Sequence, residues 1–217
     1  DIKMSQNPTG KFIVVEGLDG AGKTSLITDL KDLMLELEQP FLLTQGIGGT
    51  PYGMALRKIV LSPMGADLSP EAQCMLFMSA CRELVDTTIL PALMEGRWII
   101  CDRFHMSTYT YQHDSQRLAM LMLLGTRGLL PDLTLHLDVD YITSQKRKAL
   151  VQSVPDHFDH ASKMVFDKRR KHMLEYIAKH QSSETIRNLP THTGATYSDV
   201  RRTAIDAIMT LREATEK

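Results

Sequence analysis

The sequence predicts a three-layer α/β protein, a five-stranded parallel sheet covered by helices on both faces. Three observations lead there. Five short apolar, β-rich runs recur along the chain, longer stretches of helical periodicity separate them, and 217 residues that are 43% hydrophobic and 24% charged can fill one core. Strands alternating with helices imply βαβ units, whose right-handed crossovers lay helices on the faces of a parallel sheet. No internal repeat, low-complexity tract or linker divides the chain, so residues 1–217 are expected to form one domain.

The strands are expected at Phe12–Glu16, Phe41–Gln45, Trp98–Asp102, Leu133–Asp138 and, more weakly marked, Thr185–Leu189. A first helix runs from Gly22 to Glu38, because Leu26, Leu30, Leu33 and Leu37 repeat at helical spacing and Gln39-Pro40 supplies the stop. Ser69, with Pro70 at the first helical position, opens a long helix through Leu90, which Pro91 ends or kinks. Another helix spans Phe158–Lys179. The last runs from Ser198, as N-cap, to Arg212, with Val200, Ala204, Ile205 and Ile208 facing inward. Turn residues and Pro155 mark Val151–His157 as a loop, and a lid is expected over about 148–158.

Composition narrows the function. No run of about eighteen apolar residues occurs, and the opening DIKMSQNPTG is too polar for a signal sequence, so a cytoplasmic protein without membrane contact is expected. A net charge of −1 argues against broad nucleic-acid binding and leaves room for a small anionic ligand in a local cationic pocket. Cys74, Cys81 and Cys101 are odd in number and lack C-x-x-C spacing, which points to buried thiols and neither a disulfide framework nor zinc.

Directly after the first strand comes Gly17-Leu18-Asp19-Gly20-Ala21-Gly22-Lys23-Thr24, a full G-x-x-x-x-G-K-[ST] motif between strand and helix. Small residues let backbone N–H groups turn inward around phosphate oxygens, and the next helix presents its positive end to the same anion. Gly20, Ala21, Gly22, Lys23, Thr24 and Ser25 are the candidate ATP contacts. Lys23 reaches toward the outer phosphates, and Thr24 offers a hydroxyl to Mg²⁺. The fold is therefore expected to be that of the P-loop NTPases. Neither N-K-x-D nor a D-x-x-G switch follows a later strand, which argues against a regulatory GTPase, and the size suits a small-molecule kinase.

The third strand ends in Asp102-Arg103, at the sheet edge where open α/β folds bind ligands. Asp102 can serve the metal through water, and Arg103 can grip a transferring phosphate. A plain ion pair capping the strand end would read the same in sequence.

These residues resemble the thymidylate kinase family of nucleoside monophosphate kinases over most of the chain. FIVVEGLDGAGKTS resembles its P-loop segment and GGTPYGMALRKIVL its G-G-T-P-x-G-x-x-[IL]-R segment. ILPALMEGRWIICDRFHMSTYTYQ resembles its D-R-[YFH]-x-x-S-[ST]-x-x-Y-Q signature with the preceding helix, and LLPDLTLHLDV its P-D-L-T-x-x-L-D-V strand. The resemblance implies ATP-dependent phosphoryl transfer to a pyrimidine deoxynucleoside monophosphate, most simply dTMP to dTDP, with Mg²⁺, in a homodimer formed through the long helices. It makes Asp19 the loop carboxylate near the acceptor sugar and metal, and Arg57 and Arg103 ligands of the acceptor phosphate. Phe77 becomes the plate that stacks on the base; Ser107, Thr108, Tyr111 and Gln112 line the sugar and base pocket. Phe77 and Tyr111 also fit simple packing.

The chain departs from the family in three places. Gln45-Gly46-Ile47 lacks the charges usual after the second strand. Cys81 stands where a base-reading arginine is usual, with Arg82 as the adjacent candidate, although one helical step turns a side chain by about 100°. The lid lacks the family's usual arginines, with no basic residue between Lys148 and Asp156, so its charge is expected from Arg147, inside Lys146-Arg147-Lys148, or from His157, with Arg147 the candidate and a solvated helix face the plain reading of that run; Lys168-Arg169-Arg170-Lys171 reads as an exposed helix face. These departures keep open a kinase for another or 5-modified deoxyuridine nucleotide, free or in DNA. A P-loop binding module without kinase activity is the alternative of a different class.

Overall fold

A computed structural model describes residues 9–111, 118–150, 162–192 and 194–215. Along the chain run β1 (Phe12–Gly17), α1 (Lys23–Glu36), β2 (Phe41–Gln45), α2 (Pro51–Leu61), α3 (Pro63–Ala66), α4 (Pro70–Leu84) and a π-helical turn (Val85–Ile89). Then come α5 (Leu90–Met94), β3 (Trp98–Asp102), α6 (His105–Tyr111), α7 (Leu118–Thr126) and β4 (Leu133–Asp138). The chain continues with α8 (Tyr141–Lys148), α9 (Lys163–His180), β5 (Ile186–Pro190) and α10 (Tyr197–Glu213).

The five strands form one sheet in the order β2-β3-β1-β4-β5, and every pair is parallel. Alternate residues of the central strands serve opposite cores. Ile13, Val15 and Ile100 pack with Leu26 and Leu30 of α1 and Val200, Ala204 and Ile208 of α10. Phe12, Val14, Ile99 and Cys101 pack with Cys74, Met78 and Leu84 of α4 and with Leu93. Two cores separated by one sheet make three layers. All six residues of β1 are buried, as expected for a parallel strand covered on both sides.

Sequence and structure differ at several element ends, each for a local reason. The chain does not stop at Pro91. It opens into one π turn in which Leu90 N–H reaches back five residues to Val85 O, and this widening relieves the clash of a proline ring with the carbonyl four residues earlier. Thr196, and not Ser198, caps α10: it is extended and its hydroxyl accepts from Asp199 N at 3.2 Å. Glu38, at φ 51, ends the turn after α1. β5 lies one residue later than expected and finishes on Pro190, which an edge strand accommodates. Ser162 caps α9 through Val165 N, and the part of that expected helix at 158–161 lies outside the described residues.

Five helices escaped the periodicity argument. α3, α6 and α8 are short. α7 reads LAMLMLLGT, apolar nearly all round, so no stripe marks it, and α2 follows its Thr50 cap and Pro51 directly. Cys74, Cys81 and Cys101 are buried and free, as composition suggested.

Candidate active site

The loop after β1 is shaped by backbone conformations that L side chains rarely adopt. Gly17, Gly20 and Gly22 have φ of 146°, 77° and 101°, so the motif's glycines are required by the turn itself. Gly22 caps α1, and Lys23 is its first residue. The Lys23 side chain is buried and folds over the loop, donating to Gly17 O at 3.0 Å and Leu18 O at 3.3 Å. Burial first, and then the Arg103 guanidinium, lower its pKa to about 8 against the pull of Asp19, Asp102 and Glu16. Thr24 and Ser25 lie exposed on the first turn of α1.

Across the crevice, β3 sits next to β1 and delivers Asp102 and Arg103 at its carboxyl end. Arg103 has φ 65°, a strained conformation for a side chain of this size. Arg103 N donates to Val15 O at 2.9 Å, and Gly46 N donates to Asp102 O at 3.0 Å. This turn aims the guanidinium inward: Nη2 donates to Asp19 Oδ1 at 2.5 Å and Nη1 to Ser107 Oγ at 3.1 Å. Burial works against charge on Asp19, but Arg103 and then Lys23 outweigh it and hold the carboxyl at about 2. Asp19 Oδ1 is also 4.0 Å from Lys23 Nζ, so one carboxylate bridges the loop lysine and the strand-end arginine.

What holds this turn is Glu16, a residue the sequence argument passed over. Fully buried, it accepts from Phe104 N at 2.8 Å and Ser107 N at 3.1 Å on Oε1, and from the Ser107 hydroxyl at 2.6 Å on Oε2. A carboxylate thus takes up donors at the start of α6, where the helix's positive end also favours it. The available signal was a charge inside the otherwise apolar run FIVVEG.

A cleft of about 770 Å³, counting its open mouth, adjoins Arg103. Its lining divides by chemistry. Asp19, Arg57, Arg103 and Ser107 are polar, whereas Leu61, Phe77, Met78 and Cys81 are apolar or neutral, and Ile47, Thr108 and Tyr111 also line it. Burial pushes the Cys81 thiol to about 12 and, with Asp19 nearby, the Tyr111 phenol to about 12, so both stay neutral near pH 7. Arg57 donates to Ile47 O at 3.4 Å, and Arg169 lies 4.5 Å over the Tyr111 ring.

Three sequence expectations are corrected here. Arg82 does not line the cleft: it bonds Asp86 Oδ2 at 2.5 Å and Leu124 O at 3.2 Å, because the step from Cys81 turns it toward α7. Arg147 does not reach out as lid charge but folds onto the loop carbonyls Gly20 O and Ala21 O. The run 168–171 is not wholly solvated, since Arg169 covers Tyr111 and Arg170 forms a two-pronged pair with Asp138 at 2.6 and 2.7 Å. Gln112 and 151–158 of the expected lid lie outside the described residues.

A glycine cradle and an arginine-bearing cleft that share a carboxylate suit two phosphorylated ligands meeting end to end, the layout of a P-loop kinase acting on small nucleotides. Comparison with known proteins narrows the class. The family model for thymidylate kinase matches residues 15–191. The chain is 34% identical over 207 residues to the thymidylate kinase of Nitrosospira multiformis, covering 93% of this chain and 98% of that protein. It is 41% identical over 154 residues to the Shewanella amazonensis thymidylate kinase, covering 67% and 73%. For the Alkalilimnicola ehrlichii thymidylate kinase the match is 36% over 155 residues, covering 69% and 71%. The chain belongs to the thymidylate kinase family.

Proposed function

We propose that the chain, as one kinase domain, transfers the γ-phosphoryl group of ATP to dTMP, yielding dTDP and ADP. The observation that carries this is the position of Asp19, which belongs to the phosphate loop, lines the cleft and binds Arg103. In this reading the loop amides and Lys23 hold the donor phosphates, Arg103 and Arg57 hold the acceptor phosphate, and Phe77 supports the base. Ser107, Thr108 and Tyr111 border the sugar and base.

An acceptor monoester has a second pKa of about 6, so near pH 7 its oxygen is already ionised and needs no general base. That oxygen bonds to the γ-phosphorus as the bond to the β-phosphate oxygen breaks, and ADP departs with the electron pair. The protein's contribution is alignment and neutralisation of charge by Lys23 and Arg103.

The residues fit Mg²⁺. Asp102 Oδ1 is buried without a hydrogen-bond partner among the described residues, and Thr24 adds an exposed hydroxyl, so the donors are oxygens, which suit a hard cation that keeps several waters. Asp102 and Thr24 would hold the ion, which when bound neutralises phosphate charge.

A second reading stays within the same chemistry. With Cys81 on the cleft wall and Arg82 turned away, neither offers a charge to the base, and the wall that carries Leu61, Phe77, Met78 and Cys81 selects by shape, which favours acceptance of other or 5-modified deoxyuridine nucleotides. Exposed Met120, Leu123 and Leu124 on α7 support a homodimer. No described helix is long and apolar enough to cross a membrane; a cytoplasmic location is part of this proposal.

The deciding experiment incubates the protein with ATP and Mg²⁺ against nucleoside monophosphates, including dTMP, dUMP and 5-substituted deoxyuridylates, and ranks diphosphate formed. dTMP ranked first supports the main reading, and 5-substituted analogues ahead of dTMP support the second. ATP hydrolysis without any diphosphate product refutes both.

A further inference from the structure

We infer that Ser144 and Arg147, on α8, are positioning residues for the phosphate loop: together they hold three consecutive loop carbonyls and thereby set the direction of the loop's amides. The Ser144 hydroxyl donates to Asp19 O at 2.6 Å. Arg147 Nη1 donates to Gly20 O at 3.2 Å and to Ala21 O at 3.1 Å. Its Nη2 donates to Thr191 O at 2.8 Å, just beyond β5, which ties the clamp to the sheet edge. Thr191 is fixed in turn by two hydrogen bonds to Asp138 O, from its amide at 2.7 Å and its hydroxyl at 3.0 Å.

Peptide geometry gives these bonds their consequence. In a planar trans peptide the C=O and the following N–H point in opposite directions. Holding Asp19 O, Gly20 O and Ala21 O against α8 therefore turns the N–H groups of Gly20, Ala21 and Gly22 away from it. Ala21 N–H closes a turn on Leu18 O at 3.2 Å, leaving the amides of Gly20 and Gly22 directed by the clamp. An anion-binding loop works only when such amides converge, and fixing them before the ligand arrives spares the ligand the cost of ordering them.

The packing is close enough for this to be a built contact. Ser144 is fully buried, and a Cβ on Gly20 would meet Ser144 O at 2.7 Å and Ser144 Cα at 2.9 Å. Asp140 in turn caps α8, accepting from Thr143 N at 2.9 Å and the Thr143 hydroxyl at 2.8 Å, which fixes the helix carrying the clamp.

This inference rests on reading the loop as the donor-phosphate site, and its test separates the two. Calorimetric titration with magnesium tripolyphosphate, a probe without base or sugar, is run beside steady-state kinetics for wild type, Ser144→Ala, Arg147→Lys and Arg147→Met. Ser144→Ala changes no charge and should weaken tripolyphosphate binding about 3- to 10-fold, the value of one hydrogen bond. KM for ATP should rise in parallel while KM for the acceptor stays within about twofold, a split that general loss of stability would not produce. Arg147→Met should lose more, and Arg147→Lys, which keeps the charge but not the fork, should recover only part of it. If Arg147→Met proves unstable, the other two variants decide the matter. Wild-type affinity for tripolyphosphate in Ser144→Ala and Arg147→Lys overturns the clamp, as does weakened ATP binding with tripolyphosphate unaffected. Failure of the wild-type protein itself to bind tripolyphosphate refutes the underlying reading instead.

Discussion

The glycine loop and the cleft, which we assign to donor and acceptor, face one another across Asp19, yet they are made in different ways. The loop is eight consecutive residues whose working groups are backbone amides, oriented by three glycines at positive φ. The cleft is assembled from side chains far apart in sequence, with Arg57 from α2, Phe77 from α4, Arg103 from the turn after β3 and Ser107 from α6. Amides are present whatever the side chain, so the loop depends on conformation. A side-chain site depends on each residue and on whatever aims it. The two sides should therefore fail differently when altered.

The largest effect is expected where the two sides meet. Arg103→Ala and Lys23→Ala should each lower kcat about 100-fold or more, by analogy with removal of one electrostatic contact to a transition state. Circular dichroism should show the fold intact, and near-normal turnover by Arg103→Ala would remove it from the chemistry. Next comes Glu16→Gln, which replaces one acceptor oxygen with a donor facing amides that already donate. We expect a loss of about 10-fold or more in kcat/KM for the acceptor, with KM for ATP less affected, and about 1–3 kcal/mol of stability lost by denaturant titration. Equal losses for both substrates would mean Glu16 does not serve the cleft in particular.

A pH series probes the donor side alone. With Lys23 lowered to about 8, the lysine is charged below that pH and nucleotide binding should be nearly level there. Above it, binding must take up a proton, so affinity should fall by up to about tenfold per pH unit. Titration calorimetry in buffers of different ionisation enthalpy would register the proton uptake, and a flat profile from pH 7 to 9 would contradict it. Phe77→Ala should raise KM for the acceptor about tenfold while sparing KM for ATP, in line with the value of one stacking contact to a base. The smallest effect belongs to neither side: Thr196→Ala should cost about 1 kcal/mol of stability through the lost cap of α10, with kinetics unchanged.

The same contrast explains what could be read in the sequence. β1, β3 and β4 announced themselves as apolar runs because buried parallel strands need them, β2 showed as a short apolar run although it is a half-buried edge strand, and the glycine loop announced itself because its glycines, lysine and threonine must be contiguous. α7 stayed hidden because an all-apolar helix has no periodic face. Glu16 looked like a lone charge at the end of a strand, and its partners Phe104 and Ser107 lie about ninety residues away. Arg82 and Arg147 were assigned by charge and neighbourhood, and both were turned elsewhere by carboxylate or carbonyl acceptors on other elements.

Sequence alone determined the strand–helix alternation, the glycine loop between β1 and α1 and the family, since each is encoded in short-range order along the chain. Tertiary structure decided that Arg103 and Asp19 share one bond, that Glu16 holds the turn delivering Arg103, and that α8 braces the loop. The physical reason is that a hydrogen bond is directional and reaches only about 3 Å, so its partners are known once the backbone has brought them together and not before.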